Sequence, residues 1–563
     1  MTDVSAPTPP PLAAMRATRR LPAVAYLALA AAGAVLLPLG AVAANLLLPA
    51  RGAWAHLWAT TLPDILANTV LLLAGVGAGT LAIGVACAWF VTMCRFKGSR
   101  ILELGLLLPM AMPAYIIGYA YTDFLQFAGP LQTALREAFG WRRGDYWFPD
   151  IQSLGGAVAM LVLVLYPYVY LLARAAFLEQ SVCVLEASRM LGRGAWGAFA
   201  RVGLPLARPA IAAGVALALM EALADFGTVQ YFGVDTFTTA IYRTWFGMDN
   251  RVAAAQLATA LLGFVLLLIW LERHSRGEAR YHHTSRRYRP IAKLELRGGA
   301  ALAAGTLCAL PILLGFAVPA AILLHMSLTV GDPFFGWRFL EYAGNSFLLA
   351  SSAAIATVAL AVGLAYAQRL TGHPSVRIAV RLATMGYAIP GSVIAVGVLL
   401  PLAFVDNALD GFMRTTFGLS TGLVLSGSIV ALLYAYAVRF LAVGFGPVEA
   451  GIGKITRSMD EAALSLGAGP VRILAGVHAP IMWGSVLTAA TVVFVDVLKE
   501  LPATLIVRPF GLDTLAVRVY QLASDERLAQ ASTGAVAIVA VSLVPVAILS
   551  WMVARARPGG PRA

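Results

Sequence analysis

Charged side chains are scarce in this sequence. Aspartate, glutamate, lysine and arginine make up 12% of the 563 residues, whereas soluble globular domains carry about 25%. Hydrophobic residues make up 60%, and the mean hydropathy is +0.79. So few polar groups cannot cover a water-soluble fold. The composition therefore excludes a soluble enzyme, a disordered chain and, despite a net charge of +13, a nucleic-acid-binding protein.

Residues suited to metal binding or catalysis are scarce as well. The four cysteines form no CxxC pair, which argues against a zinc knuckle and a disulfide framework. The segment nearest to the phosphate-binding pattern GxxxxGK[ST] is 448–455, which lacks the first glycine and ends in Ile455. No GxSxG turn accompanies a suitable histidine and aspartate. We therefore predict no catalytic residue, no metal site and no cofactor in this chain.

Long apolar runs are what the sequence has instead. A helix of about 20 residues crosses the hydrocarbon and satisfies its own backbone polar groups, so each run predicts a transmembrane helix. The predicted spans lie near 23–48, 66–93, 101–122, 155–178, 209–227, 254–271, 300–326, 344–368, 380–404, 424–446, 484–501 and 533–554. The first run is too long for a signal peptide, whose apolar region spans about 7–15 residues. The predicted fold class is an all-α polytopic membrane protein with about twelve transmembrane helices.

Lysine and arginine collect in particular loops. The N-terminal tail, the turn 95–100, the segment 174–208 and above all the stretch 272–297 are basic. Cytoplasmic loops carry the excess of these residues, so we place these segments and both termini in the cytoplasm. The loop 123–150 also carries arginines although it must then face outward. The basic stretch between two spans is typical of a segment that touches anionic lipid headgroups rather than nucleic acid.

The chain contains an internal repeat. Three pairs of positions recur at an offset of 277 or 278 residues, namely Asn68 and Asn345, Pro113 and Pro390, and Asp235 and Asp513. Each half holds six spans, an even number, so the two repeats are parallel and a pathway between them is expected. We divide the chain into a cytoplasmic tail 1–22, a leading helix 23–48, a first transmembrane domain 62–271, a basic cytoplasmic linker 272–299, a second leading helix 300–326 and a second transmembrane domain 341–553.

One cytoplasmic loop in each half carries the same motif with the same spacing. The first copy comprises Glu186, Ala187, Gly192, Leu204 and Pro205, and the second comprises Glu461, Ala462, Gly467, Ala479 and Pro480. Small alanines let another subunit approach, the glycines permit a turn, and the prolines fix where the next span begins. This pattern resembles the EAA loop of binding-protein-dependent ABC importers. An amphipathic connector lying on the membrane surface is the structural alternative.

Further resemblance narrows the family. Residues 221–245 and 496–528 resemble the fused two-domain permease of ferric-iron ABC importers, with six-helix repeats of type I, and the similarity covers 66–271 and 344–552. It implies a multi-pass inner-membrane channel subunit that works by alternating access, with an extracytoplasmic binding protein outside and an ABC ATPase dimer, holding ATP and Mg²⁺, inside. Thiamine and organophosphonate permeases share this architecture and remain alternatives. An ion-coupled secondary transporter is a further alternative, which leaves the paired loops unexplained.

Four acidic residues lie inside or at the ends of predicted spans. They are Glu221, Asp225, Asp496 and Glu500. The two pairs are related by an offset of 275, and within each pair a spacing of four residues places both carboxylates on one helix face. Acids in a membrane usually mark a pathway, and carboxylates suit hard cations. We expect a substrate pathway that attracts iron; the alternative is a structural role in which Lys499, Arg243 or Arg508 pairs with these acids.

Overall fold

The structure is a computed structural model. It describes residues 23–50, 52–142, 144–179, 195–276, 293–332, 336–371 and 373–555. The chain folds almost entirely into helices, because each apolar segment must satisfy its own backbone groups. Only two short strands occur in the described part, β1 (Cys94–Arg95) and β2 (Leu294–Glu295), which pair in parallel.

The described residues of the first half form twelve α-helices. They are α1 (Ala23–Ala44), α2 (Ala53–Thr60), α3 (Leu62–Met93), α4 (Ser99–Gly105), α5 (Ala114–Leu125), α6 (Pro130–Phe139), α7 (Leu154–Glu179), α8 (Ala195–Ala198), α9 (Leu204–Ala224), α10 (Gly227–Tyr231), α11 (Phe237–Tyr242) and α12 (Arg251–Arg276). Shorter turns interrupt or extend them: the 3₁₀ turns Asn45–Leu47 and Leu108–Ala111 and the π turns Phe199–Gly203 and Arg243–Gly247.

The second half repeats this order. Its helices are α13 (Gly298–Ile312), α14 (Val318–Thr329), α15 (Trp337–Thr371), α16 (Pro374–Ala383), α17 (Gly391–Phe417), α18 (Ile429–Ile452), α19 (Arg457–Ser465), α20 (Pro470–Ile473), α21 (Ala479–Leu498), α22 (Pro502–Val507), α23 (Leu515–Ser524) and α24 (Leu528–Arg555). A π turn at Leu313–Ala317 joins α13 to α14, a 3₁₀ turn Gly386–Ala388 precedes α17, and a π turn Leu474–His478 precedes α21.

The number of membrane spans agrees with the sequence. Eleven described helices are long and apolar enough to cross a membrane, or twelve if one bent pair counts as a span. The fold-class prediction is therefore confirmed. The predicted span 101–122 is not a straight helix, because the chain bends by 92° between α4 with its 3₁₀ turn and α5. Pro113 lies at the bend, and the residue before a proline is disfavoured in helical backbone; Met112 is accordingly extended.

Equivalent contacts relate the two halves. The side-chain amide of Asn68 donates to the backbone oxygen of Asp235 at 3.1 Å, and Asn345 donates to the backbone oxygen of Asp513 at 3.2 Å. Both asparagines lie near the beginning of a long span, on α3 and α15. The residues that define the repeat in the sequence thus meet in space, in the same way in each half.

The leading helices pack across the repeat boundary. Helix α1 lies against α15, α16 and α17 of the second half, whereas α13 and α14 lie against α3, α4 and α5 of the first. The backbone of Pro38 on α1 comes so close to Gly397 on α17 that a Cβ at Gly397 would lie 2.5 Å from the Pro38 oxygen. The two halves are therefore interleaved by their leading helices.

A buried ion pair fastens α4 to α7 in the first half. One carboxylate oxygen of Glu103 accepts from Nε and Nη2 of Arg174 at 3.0 and 2.6 Å, and both side chains are about 6% exposed. Tyr170 also donates to the Glu103 backbone oxygen. The equivalent positions in the second half are Val380 and Ala442. The two halves therefore have the same helix order, but the buried ion pair between helices occurs at these positions only in the first half.

We predict that Arg174→Ala destabilises the protein strongly, because it leaves the Glu103 carboxylate buried without its cation. Removing one partner of such a pair costs about 3–5 kcal/mol, whereas replacing both by apolar groups is often neutral. Thermal unfolding of the purified protein in detergent should show a lower midpoint for the single variant. The double variant Glu103→Val/Arg174→Ala, which copies the second half, should recover most of the loss. Equal midpoints for the single and double variants would contradict a role for the pair.

Candidate functional site

The membrane helix α9 ends in a carboxylate-capped break. Asp225 follows its last residue, and the short helix α10 begins two residues later. One oxygen of Asp225 accepts from the backbone nitrogens of Thr228 and Val229, both at 3.1 Å, and the other accepts from the Thr228 hydroxyl at 2.9 Å. These bonds satisfy backbone donors that the first turn of a helix otherwise leaves unpaired.

The second half has the same arrangement at Glu500. Its carboxylate accepts from the backbone nitrogens of Ala503 and Thr504 at 2.9 and 3.0 Å, and from the Thr504 hydroxyl at 2.7 Å. Glu500 is buried. At Gly391 a Cβ would lie 2.7 Å from Glu500 Oε1 and 3.0 Å from Arg439 Nη1, so this close approach requires glycine. Two of the four predicted acids thus have a structural role in capping short helices.

All four predicted acids line one cavity between the two halves. The cavity has a volume of about 130 Å³. Its first-half wall comes from α5, α7, α9 and α10, and its second-half wall from α18, α21, α22 and the 3₁₀ turn before α17. Its polar lining consists of Tyr115, Tyr168, Glu221, Asp225, Tyr387, Arg439, Asp496, Lys499 and Glu500. Residues distant in sequence therefore converge where the repeat predicts a pathway.

Glu221 and Asp496 occupy equivalent positions but have different surroundings. Asp496 accepts from Nζ of Lys499 at 2.9 Å, the pairing considered as the structural alternative. Glu221 instead lies near Tyr387 and Tyr168, which line the same cavity. Tyr387 belongs to the second half and the other two groups to the first. These polar groups therefore come from both sides of the interface between the halves.

Arg243 and Arg508 do not contact the cavity acids. Arg243 forms an ion pair with Asp235, and Arg508 forms one with Asp513. The two aspartates are at equivalent positions, but the arginines are not, because Arg243 follows α11 whereas Arg508 follows α22. The structural alternative therefore applies to Lys499 but not to the two arginines.

The sequence analysis missed the tyrosines and the arginine of this cavity. Arg439 lies in the middle of α18 and is 7% exposed; its Nη1 donates to the Ile389 oxygen, but its Nε has no partner among the described residues. The buried hydroxyl of Tyr115 likewise has no hydrogen-bond partner among the described residues. Buried polar atoms normally find a partner, so these two groups suit a cavity that holds water or a polar substrate. An arginine within an apolar run was the available signal.

The cavity does not have the geometry of a resident metal site. Within the described ranges, no group of three or more histidine, cysteine, aspartate or glutamate side chains could hold a metal ion. The cavity lining nevertheless contains four acidic side chains and only two basic ones, Arg439 and Lys499. The lining can attract a cation or form transient contacts, but it does not form a coordination cage.

The second EAA loop is described in full. Glu461 and Ala462 are exposed on α19, and Gly467 follows this helix with φ +79°, a conformation that favours glycine. Leu466 and Val471 are 86% and 79% exposed. Exposed large apolar side chains on a charged loop are typical of an interaction surface.

The first EAA loop is described only in its last part. Glu186, Ala187 and Gly192 lie outside the described residues, whereas Leu204 and Pro205 begin α9. Pro205, like Pro480, occupies one of the first two positions of its α-helix.

Neither proline marks the beginning of its membrane helix. Helical structure continues back through the π turns Phe199–Gly203 and Leu474–His478, and the spans run from Phe199 to Ala224 and from Val471 to Leu498. A proline cannot donate to the carbonyl four residues earlier, and a π turn is a common adjustment inside helices near functional sites. Each loop is thus joined to its span by continuous helix.

The chain is similar to known membrane transport proteins. Residues 80–276 match the family described as binding-protein-dependent transport system inner membrane component. The Fe(3+)-transport system permease protein FbpB 2 of Haemophilus influenzae is 26% identical over 495 residues, which cover 86% of this chain and 89% of that protein. Over most of its length the chain is therefore similar to permeases of binding-protein-dependent transport systems.

Other relatives fit the same architecture. The permease is 23% identical over 520 residues to the ferric transport system permease protein FbpB of Actinobacillus pleuropneumoniae, covering 88% of this chain and 72% of the relative. The molybdenum transport system permease protein ModB of Escherichia coli is 29% identical over 210 residues, which cover 36% of this chain and 89% of ModB. ModB therefore matches a stretch about as long as one of the two transmembrane domains. The matched family is described as an inner membrane component of a transport system that depends on a binding protein.

We predict that Asp225→Ala and Glu500→Ala each lower the thermal unfolding midpoint, because α10 or α22 loses its cap. The loss of such a cap costs about 0.5–2 kcal/mol, and asparagine caps about as well as aspartate. Asp225→Asn should therefore stay close to the unchanged protein. If Asp225→Ala and Asp225→Asn unfold at the same lowered temperature, the charge of Asp225, and not its capping of α10, stabilises the protein.

Proposed function

We propose that this permease forms the membrane channel of an ATP-driven importer of ferric iron, which an extracytoplasmic binding protein delivers. Two relatives that match most of the chain bear ferric or Fe(3+) transport in their names. The molybdenum permease matches only a stretch about as long as one transmembrane domain. The fused architecture therefore favours iron among the substrates of the family.

The observation that carries the proposal is the acidic cavity between the halves. Carboxylates and phenol oxygens are hard ligands suited to a hard, highly charged cation. Glu221 and Tyr387 provide both kinds of oxygen at the interface between the halves. Iron would pass this site through successive weak contacts, because the lining does not provide a full set of metal ligands.

The driving force would come from outside this chain. An ATPase dimer on the cytoplasmic face grips the two docking loops, Glu186–Pro205 and Glu461–Pro480, and both termini of the permease lie on that face. Because continuous helix joins Leu474–His478 to α21, a movement of the second loop tilts the span that carries Asp496. The two halves of the channel can adopt two relative tilts. ATP shifts the population toward one tilt only if the ATP-bound ATPase binds that tilt more tightly than the other.

We predict that Glu221→Gln lowers uptake at least about tenfold, equivalent to about 1.4 kcal/mol. The change removes the charge at the centre of the cavity while it keeps the shape. The measurement is uptake of ⁵⁵Fe³⁺ by liposomes that contain the permease, its ATPase and its loaded binding protein. Glu341→Gln, at an exposed acid on α15 outside the cavity, is the matched control and should transport normally.

The same liposomes distinguish the substrates. Thiamine, an organophosphonate and molybdate are offered with their binding proteins in parallel with ferric iron. Transport of one of these in place of iron would overturn the assignment of iron. Uptake that continues without ATP and stops with an uncoupler would favour a secondary transporter.

We predict that the docking loops bind the ATPase. Glu186→Arg/Glu461→Arg should abolish its copurification with the permease, because both loops lose the acid with which the repeated motif begins. Glu449→Arg, at an exposed acid near the end of α18, should leave copurification intact. ATPase that stays bound to the double variant would show that the loops are surface connectors only.

A further inference from the structure

Arg369 fastens the second docking loop to the end of α15. Its Nε and Nη2 donate to one oxygen of Asp460 at 3.0 and 2.7 Å. Its Nη1 donates to the backbone oxygens of Ile452 and Ile455 at 3.0 and 3.1 Å, and Nη2 also reaches Ile455. One guanidinium thus holds both the chain that enters the loop and the first turn of α19. The planar fork of arginine makes such a connection stiffer than a single-donor contact.

His478 completes the connection from the other side. Its Nε2 lies 2.7 Å from the second oxygen of Asp460, and it is 2% exposed, with the Tyr366 ring packed against it. Asp460 therefore bridges the end of α15 and the π turn at the base of α21. Partial burial acts to raise the pKa of Asp460, but hydrogen bonds from His478 and Arg369 outweigh it and lower the pKa below its ordinary value. The carboxylate is accordingly ionised at neutral pH.

The first half lacks all three side chains. The positions equivalent to Arg369, Asp460 and His478 are Thr92, Leu185 and Gly203. None of these can form an ion pair. The first half carries the Glu103–Arg174 pair instead, which joins α4 to α7 rather than a docking loop to a span.

We propose that Arg369, Asp460 and His478 form a positioning clamp that ties the second docking loop to α15 and α21, a connection for which the first half has none of the three side chains at the equivalent positions. The inference rests on the proposed docking function of the loops. Asp460 immediately precedes Glu461, so the clamp sets the position of the docking motif itself. With the clamp intact, a movement of α19 is transmitted to both α15 and α21. Without the clamp, α19 can move independently of these two membrane helices.

The first test measures the position of the loop without any substrate. Spin labels are placed at Leu464→Cys on α19 and Ile378→Cys on α16, two exposed positions, in a background without the native cysteines. Pulsed electron paramagnetic resonance then gives the distance distribution. We expect a narrow distribution with the clamp intact and a clearly broader one in Arg369→Gln. Asp460→Leu, which copies the first half, should broaden it as well.

The second test measures coupling in liposomes that contain the ATPase and the iron-loaded binding protein. In Arg369→Gln the ATPase should remain bound, but iron transported per ATP hydrolysed should fall about fivefold, the lower end of typical allosteric coupling. Arg369→Lys keeps the charge but loses the planar guanidinium. Its ratio of iron transported to ATP hydrolysed should lie between those of Arg369→Gln and the unsubstituted protein. Arg377→Gln, at an exposed α16 cation, should couple normally.

The outcomes separate the clamp from the proposed function. An unchanged distance distribution and unchanged coupling in Arg369→Gln overturn the clamp while the docking role stands. Failure of the unsubstituted loops to bind ATPase overturns the docking role, and the spin-label result still decides whether the clamp holds the loop. If Arg369→Gln does not fold, Asp460→Asn, which keeps the shape and loses the charge, replaces it in both tests. Unaltered behaviour of Asp460→Asn then overturns the clamp.

Discussion

The hydrocarbon of a bilayer offers no hydrogen-bond partner, and every other feature of this permease depends on that constraint. A helix can break inside the membrane only where the protein itself supplies partners for the freed backbone groups. Asp225 and Glu500 supply them at the two breaks, by accepting from the first amides of α10 and α22. Because an ionised group in the membrane is costly unless it faces polar surroundings, the breaks also fix where the polar cavity lies. Capping and charge are thus provided by the same side chains.

The packing of the leading helices restricts how the halves can move. Since α1 contacts the second half, and α13 and α14 contact the first half although α14 also packs on α24 of its own half, separating the halves as units would break both sets of contacts. A relative tilt that opens one side of the cavity is the movement compatible with this interleaving. Polar side chains of both halves, such as Tyr387 and Glu221, face each other across the cavity.

The sequence predicted the features that depend on local pattern. Apolar runs predicted the spans, and the offset of 277 predicted that Asn68 and Asn345 hold equivalent places. The bend at Pro113, the short helices α10 and α22 and the exchange of leading helices were missed. Short helices of five or six residues have no periodic pattern to detect, and the partner of α1 depends on contacts far along the chain. Tyr387 and Glu221 were not linked because 166 residues separate them, and nothing in one sequence records that they line the same cavity.

The central claim is that the cavity between the halves opens to alternate sides of the membrane. It is tested most directly by the reactivity of a cysteine at Ala224, which lines the cavity, in a background without native cysteines. A membrane-impermeant thiol reagent is applied from either side to the assembled complex in liposomes. We expect labelling from outside when the ATPase holds a non-hydrolysable ATP analogue, and labelling from the cytoplasmic side without nucleotide. Labelling from the same side in both states would contradict the account.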